Sequence, residues 1–314
     1  MSYTPPTAEQ VFALRVNAGI EELAQSPRFA AASPDMVEAI VDGIGQFAAG
    51  EFAPLARIGD TEGAKLVDGT VRLPAGYAEA YHAYVEQGWN AVSGAEEFGG
   101  QGLPFSLAVC VLENLGAANM GFSLLPMLTV GAIDAIEKHG SETQKAMYLA
   151  HLTSGKWPGT MNLTEPQAGS DVGALRTTAT PTADGKYLIK GTKIFITWGE
   201  HDVADNIVHL VLARTPDAPA GVKGISLFIV PKFLVNADGS LGARNDVFCA
   251  SIEHKLGIKA SPTAVLVFGD DKGAVGAGAV GTLVGEENRG LEYMFIMMNA
   301  ARYAVGVQGI AVAD

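Results

Sequence analysis

The sequence predicts an α+β protein in three parts: a helical N-terminal region, an antiparallel β region, and a helix at the end. Three observations carry that prediction. Apolar residues recur at helical spacing as far as about residue 158. From about Gly159 the pattern changes to short β-branched runs bounded by Gly, Pro and Asp. After a Gly/Ala-rich stretch at 270–282, a seven-residue apolar repeat begins.

The helices are read in order. Pro34-Asp35-Met36-Val37-Glu38-Ala39-Ile40 opens one, with Met36, Val37, Ile40, Ile44 and Phe47 near helical spacing. Residues 77–88 and 105–116 repeat the pattern, each ended by a glycine. Ser141-Glu142-Thr143-Gln144 has the form of a capping box. Ala-rich faces with few charges suit helices packed on one another.

In the middle, Tyr187-Leu188-Ile189-Lys190 followed by Gly191-Thr192-Lys193 reads as a hairpin entering a strand at 194–197. Residues 207–213, 224–230 and 264–269 are further strands, and 270–282 reads as a connector. Beyond it, Leu291, Met298, Val305 and Val312 recur every seventh residue, with Met294 and Phe295 beside them. The helical pattern is still running at Asp314, with no Gly or Pro to stop it. The expected domains are therefore 1–158, 159–282 and 283–314.

Composition narrows the function. With 314 residues, 48% hydrophobic and 18% charged, the chain can bury sizeable cores as a globular protein of about two domains. A net charge of −13 argues against nucleic acid or an anionic membrane as main partner. Cys110 and Cys249, without a C-x-x-C, are read as buried apolar residues rather than a bridge. The polar, Pro-containing segment 1–10 is not read as a signal peptide, and no apolar run approaches bilayer-spanning length. A cytoplasmic setting without membrane insertion is expected.

The most informative segment is Leu163-Thr164-Glu165-Pro166-Gln167-Ala168-Gly169-Ser170-Asp171, followed by Lys193-Ile194-Phe195-Ile196-Thr197-Trp198-Gly199. Pro166 lacks an N–H and Gly169 admits unusual backbone angles, so backbone groups in the first segment are free to face a ligand. The second alternates like a half-buried strand and sets an aromatic ring two residues before a hydroxyl. A planar cofactor with polar edges needs such a pairing of ring face and donors. Alone, 163–171 could be a surface turn.

At these residues the chain resembles the acyl-CoA dehydrogenases, whose T-E-P-x-A-G-S-D loop and [FW]-I-T-x-G strand both occur here in order. Arg302-Tyr303-Ala304-Val305-Gly306-Val307-Gln308-Gly309 resembles the family's R-x-x-x-G-x-x-G helix, and Gly285-Glu286-Glu287-Asn288-Arg289-Gly290-Leu291 its lead-in. Gly88-Trp89 and Phe98-Gly99-Gly100-Gln101-Gly102 resemble the short motifs of the N-terminal domain. Trp198 and the segment 231–255 are similar to the larger-subunit, 3-methylmercaptopropionyl-CoA dehydrogenase-like branch.

The resemblance implies a helical N-terminal domain, a β-barrel-like middle domain and the start of a C-terminal helical bundle. It implies FAD, an acyl-CoA substrate, an electron-transferring flavoprotein as acceptor, and a homo-oligomer. By residue match, Met161, Leu163, Thr164, Gly169, Ser170, Phe195 and Thr197 would bind the cofactor. Ser170, Asn299 and Arg302 would meet the acyl-CoA. Each has a plainer reading: Leu163 and Phe195 as core, Thr197 as a strand former, Arg302 as one half of an ion pair.

The reaction so implied removes a proton beside the thioester carbonyl and a hydride from the β-carbon, with a Glu of raised pKa as base. Here the sequence departs from the family. The usual Glu lies in the C-terminal domain, and the minority position before the helix Arg is Ala301. Glu165 is structural in the family, and Glu292 suits a helix N-terminus. The base is expected beyond Asp314, so the chain alone is expected to be inactive. The alternative is a non-catalytic FAD- or CoA-binding fragment.

Two further signals are set aside. Gly276-Ala277-Gly278-Ala279-Val280-Gly281 is a literal G-x-G-x-x-G, but Ala301 stands where a nicotinamide dehydrogenase would carry an acid, so an NAD-dependent Rossmann enzyme is a distant alternative. The six histidines show no metal-ligand spacing, and no metal is expected.

Overall fold

The computed structural model describes residues 3–313. Its first half is helical: α1 (Thr7–Val16), α2 (Ile20–Leu23), α3 (Pro34–Phe47), α4 (Leu55–Glu62), α5 (Tyr77–Glu86), α6 (Phe105–Ala118), α7 (Met120–His139) and α8 (Glu142–Ser154). Ser33 caps α3 by accepting the Met36 N–H at 3.4 Å. Val37, Ile40, Val41, Ile44 and Phe47 form its buried face, while Met36 is exposed. The capping box of α8 is present, and Gln144 also donates to Thr282 Oγ1 and the Leu283 carbonyl, both at 2.9 Å.

Two expectations fail in this half. A hairpin of β1 (Lys65–Val67) and β2 (Thr70–Arg72) interrupts the helices, turning at Asp68-Gly69, both with positive φ. Asp-Gly between two short apolar runs is a strong hairpin signal in its own right. Gly116 does not end α6. The helix runs on to Ala118, and a Cβ at Gly116 would stand 3.2 Å from the Ala311 Cβ, so this glycine admits a neighbouring helix.

The middle holds β3 (Gly159–Asn162), β4 (Thr178–Pro181), β5 (Tyr187–Thr197), β6 (Val208–Ala213), β7 (Ser226–Pro231), β8 (Phe233–Val235), β9 (Leu241–Arg244), β10 (Val247–Ile252), β11 (Thr263–Phe268) and β12 (Ala279–Val284). Eight of these form one sheet in the order β10-β11-β5-β12-β7-β6-β3, with β4 also on β5, while β8 and β9 pair separately. A bridge between Thr178 and Arg214 brings β4 back to the end of β6, which gives the barrel-like closure. All pairings are antiparallel except β3 with β6.

Two readings of this region are corrected. Residues 187–197 form one unbroken strand, not a hairpin. Gly191 is needed there because a Cβ would meet Thr177 Oγ1 at 2.3 Å. The stretch 270–282 is not merely a connector, since β12 begins within it at Ala279 and runs centrally between β5 and β7. Its Gly and Ala content dilutes the β-branched signal. The G-x-G-x-x-G therefore runs into a strand and opens no helix.

The last helix is α9 (Gly290–Ala313). Its buried residues include Tyr293, Met294, Met297, Ala304, Val307 and Ala311. The seven-residue repeat is not that face, since Val305 and Val312 are exposed. By length and composition α7 and α9 could each cross a membrane, contrary to the expectation that no apolar run is long enough. α7 is mostly buried, packed between α9, α8, α6 and β3. Three main cores result: one among the helices, one inside the β region, and one where α7, α8 and α9 cover the sheet.

Candidate functional site

The site forms where the loop after β3 lies against β5. Glu165 and Ala168 close the loop by exchanging backbone hydrogen bonds of 2.9 and 3.0 Å. Inside it the Glu165 carboxylate accepts from the Arg176 N–H at 2.7 Å, the Thr177 N–H at 3.1 Å and the Thr177 hydroxyl at 2.6 Å. Gln167 donates at 2.6 Å and the Lys193 ammonium at 2.8 Å. Glu165 and Lys193 are both buried. Burial alone would raise the Glu165 pKa, but the Lys193 charge and these hydrogen bonds outweigh it and hold it at about 2. Burial draws Lys193 down to about 8 against the pull of Glu165.

Lys193 does a second thing: its ammonium donates to the Leu163 carbonyl at 3.0 Å. The Ile194 N–H binds the Thr164 carbonyl at 2.9 Å. The loop is thus clamped to β5 at two successive carbonyls. The Leu163–Thr164 peptide is trans, so its N–H points away from the ammonium. Among the described residues that N–H has no partner.

Beside it, Phe195 follows Ile194 in β5. Its φ is +59°, and its ring is 56% exposed. The register explains this. Between Lys193 and Ile196 β5 spends three steps while β11 spends two from Leu266 to Ala264, so β5 carries a bulge. Lys193 faces inward with Ile189 by alternation; the bulge after it turns Ile196 inward too and leaves Phe195 outside. Two residues on, Thr197 is half-buried.

The strand end is fixed by Trp198, fully buried at φ +52°. Its backbone N–H donates to the Pro262 carbonyl at 2.7 Å, and its indole N–H to the Gly121 carbonyl at 3.2 Å. The ring stacks near Phe122, so the β region is pinned to the start of α7.

Met161 and Leu163 are half-buried, and Met161 packs on the cluster of Met127, Leu128 and Ala304 that α9 helps to build. Gly169 and Ser170 are exposed on the loop. Asn299 and Arg302 are exposed on α9 and bind each other at 2.9 Å. The structure therefore holds Leu163 and Thr164 against β5 at Lys193 and Ile194, next to Phe195, places Met161 on the cluster shared with α9, and sets Asn299 and Arg302 apart as a pair on the last helix.

Sequence reasoning passed over Lys193 as a working residue. A strand lysine normally faces water, but this one shares the inward face of Ile189 by alternation and is buried against Glu165. His201, set aside with the other histidines, is buried, and among the described residues its two ring nitrogens have no hydrogen-bond partner.

Residues 34–156 match the profile of the N-terminal domain of acyl-CoA dehydrogenases, and residues 160–270 match that of their middle domain. The chain belongs to the acyl-CoA dehydrogenase family. It is 52% identical, over all of its own length, to a 3-methylmercaptopropionyl-CoA dehydrogenase of Ruegeria pomeroyi, of which it covers 52%. Butyryl-CoA dehydrogenase from Megasphaera elsdenii superposes with a TM-score of 0.70 at 25% identity, over 89% of this chain and 66% of that one. An acyl-CoA dehydrogenase from Bacillus anthracis, complexed with FAD, gives 0.69 at 26% identity, over 89% and 42%. The chain spans about half the length of the curated relatives it matches. In this member of the family the open Thr164 N–H and the strained, exposed Phe195 ring fit a planar cofactor with acceptors on its rim.

Proposed function

We propose that this chain is the cofactor- and thioester-binding part of an FAD-dependent acyl-CoA dehydrogenase, which converts an acyl-CoA to the trans-2-enoyl-CoA. The observation that carries this reading is the clamped loop, whose Thr164 keeps an unpartnered N–H while its carbonyl is bound by Ile194, the residue before the exposed Phe195. When bound, FAD supplies a two-electron acceptor for the hydride that leaves the β-carbon. The protein's part is placement. Thr164 donates to the flavin rim, Phe195 and Thr197 line the ring's other face, and Met161 and Leu163 keep one edge dry. Gly169 and Ser170 serve the phosphate side, with Ser170 shared with the thioester. Asn299 and Arg302 hold the acyl-CoA.

No base is assigned. Glu165, held at about 2 and enclosed by donors, cannot take a proton near neutrality. Glu292 is exposed on the first turn of α9, and hydrogen bonds from Arg289 at 2.8 and 3.0 Å hold its pKa below the ordinary value, the wrong direction for a base. This favours the second reading, in which the isolated chain binds FAD and acyl-CoA without turnover. An electron-transferring flavoprotein would reoxidise the full enzyme, which would assemble as a homo-oligomer.

The test is anaerobic addition of acyl-CoA to the chain loaded with FAD. Bound flavin that stays unbleached supports placement without a base. Bleaching would put a working base within these residues. No flavin binding at all would sink the proposal.

A further inference from the structure

We infer that Lys193 is an electrostatic positioning residue, acting through the Leu163–Thr164 peptide to make the Thr164 N–H a stronger donor to the reduced than to the oxidised cofactor. The inference rests on the proposed flavin reading and adds a residue that works without touching the ligand.

The geometry is a relay of one peptide. Lys193 Nζ sits 3.0 Å from the Leu163 oxygen, and the N–H on the far side of that peptide is the unpartnered one. A cation on a carbonyl polarises the peptide and strengthens its N–H as a donor, and a buried site screens this little. Two-electron reduction puts a hydrogen on N5 and adds negative charge at N1 and the carbonyl oxygens, so a strengthened donor would favour the reduced form where it meets one of those acceptors rather than N5. The device is rigid, because Glu165 holds the ammonium in place at 2.8 Å and Thr177 holds Glu165. A loop clamp alone would not need a charge: a neutral donor could bind the same carbonyl. Burying a cation costs more than burying a neutral group of the same shape, so a clamp alone does not account for an ammonium at this position.

The experiment compares the wild-type chain with Lys193→Met/Glu165→Gln and Lys193→Arg. The double variant removes both charges, so no buried carboxylate is stranded. Each protein is loaded with FAD, and the bound midpoint potential is measured against free FAD, which reports the ratio of affinities for reduced and oxidised cofactor. In the double variant that ratio should fall about tenfold, a drop of ~30 mV for a two-electron couple, while Lys193→Arg keeps the wild-type value. An unchanged ratio, with both affinities weakened equally, would show a mere clamp and overturn the inference.

The exchange rate of the Thr164 amide proton is followed in the cofactor-free chains at one pH. It should be slower in the double variant, whose peptide is less polarised. If the wild type fails to bind FAD, the functional proposal falls, and amide exchange still decides whether Lys193 polarises the peptide.

Discussion

Phe195 and Trp198, three residues apart at the end of β5, both hold a positive φ, yet the first ring is largely exposed and the second fully buried. A left-handed conformation costs a non-glycine residue about 1–2 kcal/mol. At Trp198 packing and two hydrogen bonds repay that cost within the fold. At Phe195 the positive φ belongs to the bulge that turns Ile196 inward, but the side chain itself stays largely exposed, and strained, exposed residues of this kind are enriched at ligand sites.

Phe195→Gly should therefore separate stability from binding. Glycine accepts the left-handed conformation without penalty, so resistance to urea should hold or rise by up to ~1 kcal/mol. Flavin affinity should drop about fivefold, corresponding to ~1 kcal/mol of ring contact. Urea unfolding and a fluorescence titration with FAD read the two effects. Unchanged FAD affinity would remove Phe195 from the site.

Trp198→Phe should behave in the opposite way. It deletes the indole donor to the Gly121 carbonyl and leaves a void beside Phe122. The cost should be about 2–4 kcal/mol from cavity and lost hydrogen bond together. A loss below ~0.5 kcal/mol in urea unfolding would mean that this contact does not pin the β region to α7.

The buried pair yields a stability prediction of its own. Lys193→Met alone strands a buried carboxylate and should cost about 3–5 kcal/mol. Adding Glu165→Gln should recover most of it, since neutral partners of similar shape often match a buried ion pair. A urea series on the two single variants and the double variant measures the coupling. Additive losses would show that the charges do not depend on each other.

Much of this was legible from residue order. The helical half, the change of period near Gly159, the loop 163–171 and its companion strand all stand in the sequence as local patterns. What was not legible depends on register and neighbours. The bulge in β5 appears only when Lys193 and Ile196 are set against Leu266 and Ala264, so the burial of Ile196 and the exposure of Phe195 do not follow from alternation alone. Gly191 resembled a turn because its purpose, clearance from Thr177, lies in a segment distant in sequence, just before β4. The repeat of Leu291, Met298, Val305 and Val312 is real, but apolar residues surround much of α9 and the period alone does not pick the buried face. Asp68-Gly69 was readable and passed over, because the surrounding helical pattern dominated.

Two buried histidines set the acid limit of the fold. Burial, with Lys232 and His209 adding to it, holds the His201 pKa well below its usual value. Burial, with Arg244 and Lys232, brings His209 to about 3. Thr160 Oγ1 lies 2.7 Å from His209 Nδ1, whereas both nitrogens of His201 lack partners. Below about pH 6.5 the unfolded chain protonates both rings while the folded chain keeps them neutral. The unfolded state then binds more protons, so stability falls as pH falls, by up to ~1.4 kcal/mol per pH unit for each histidine. Glu165 adds to the loss only lower, between its ordinary 4.5 and about 2. Between pH 7.5 and 5.5 these two rings should therefore lower the stability read by urea unfolding by roughly 2–3 kcal/mol. His201→Leu should be neutral or stabilising at pH 7.5, because it removes two buried unpartnered nitrogens. It should also halve the loss at pH 5.5. A wild-type stability that stays flat across this interval would mean that both rings can be protonated in place, and the assignment of the acid limit to them would fail.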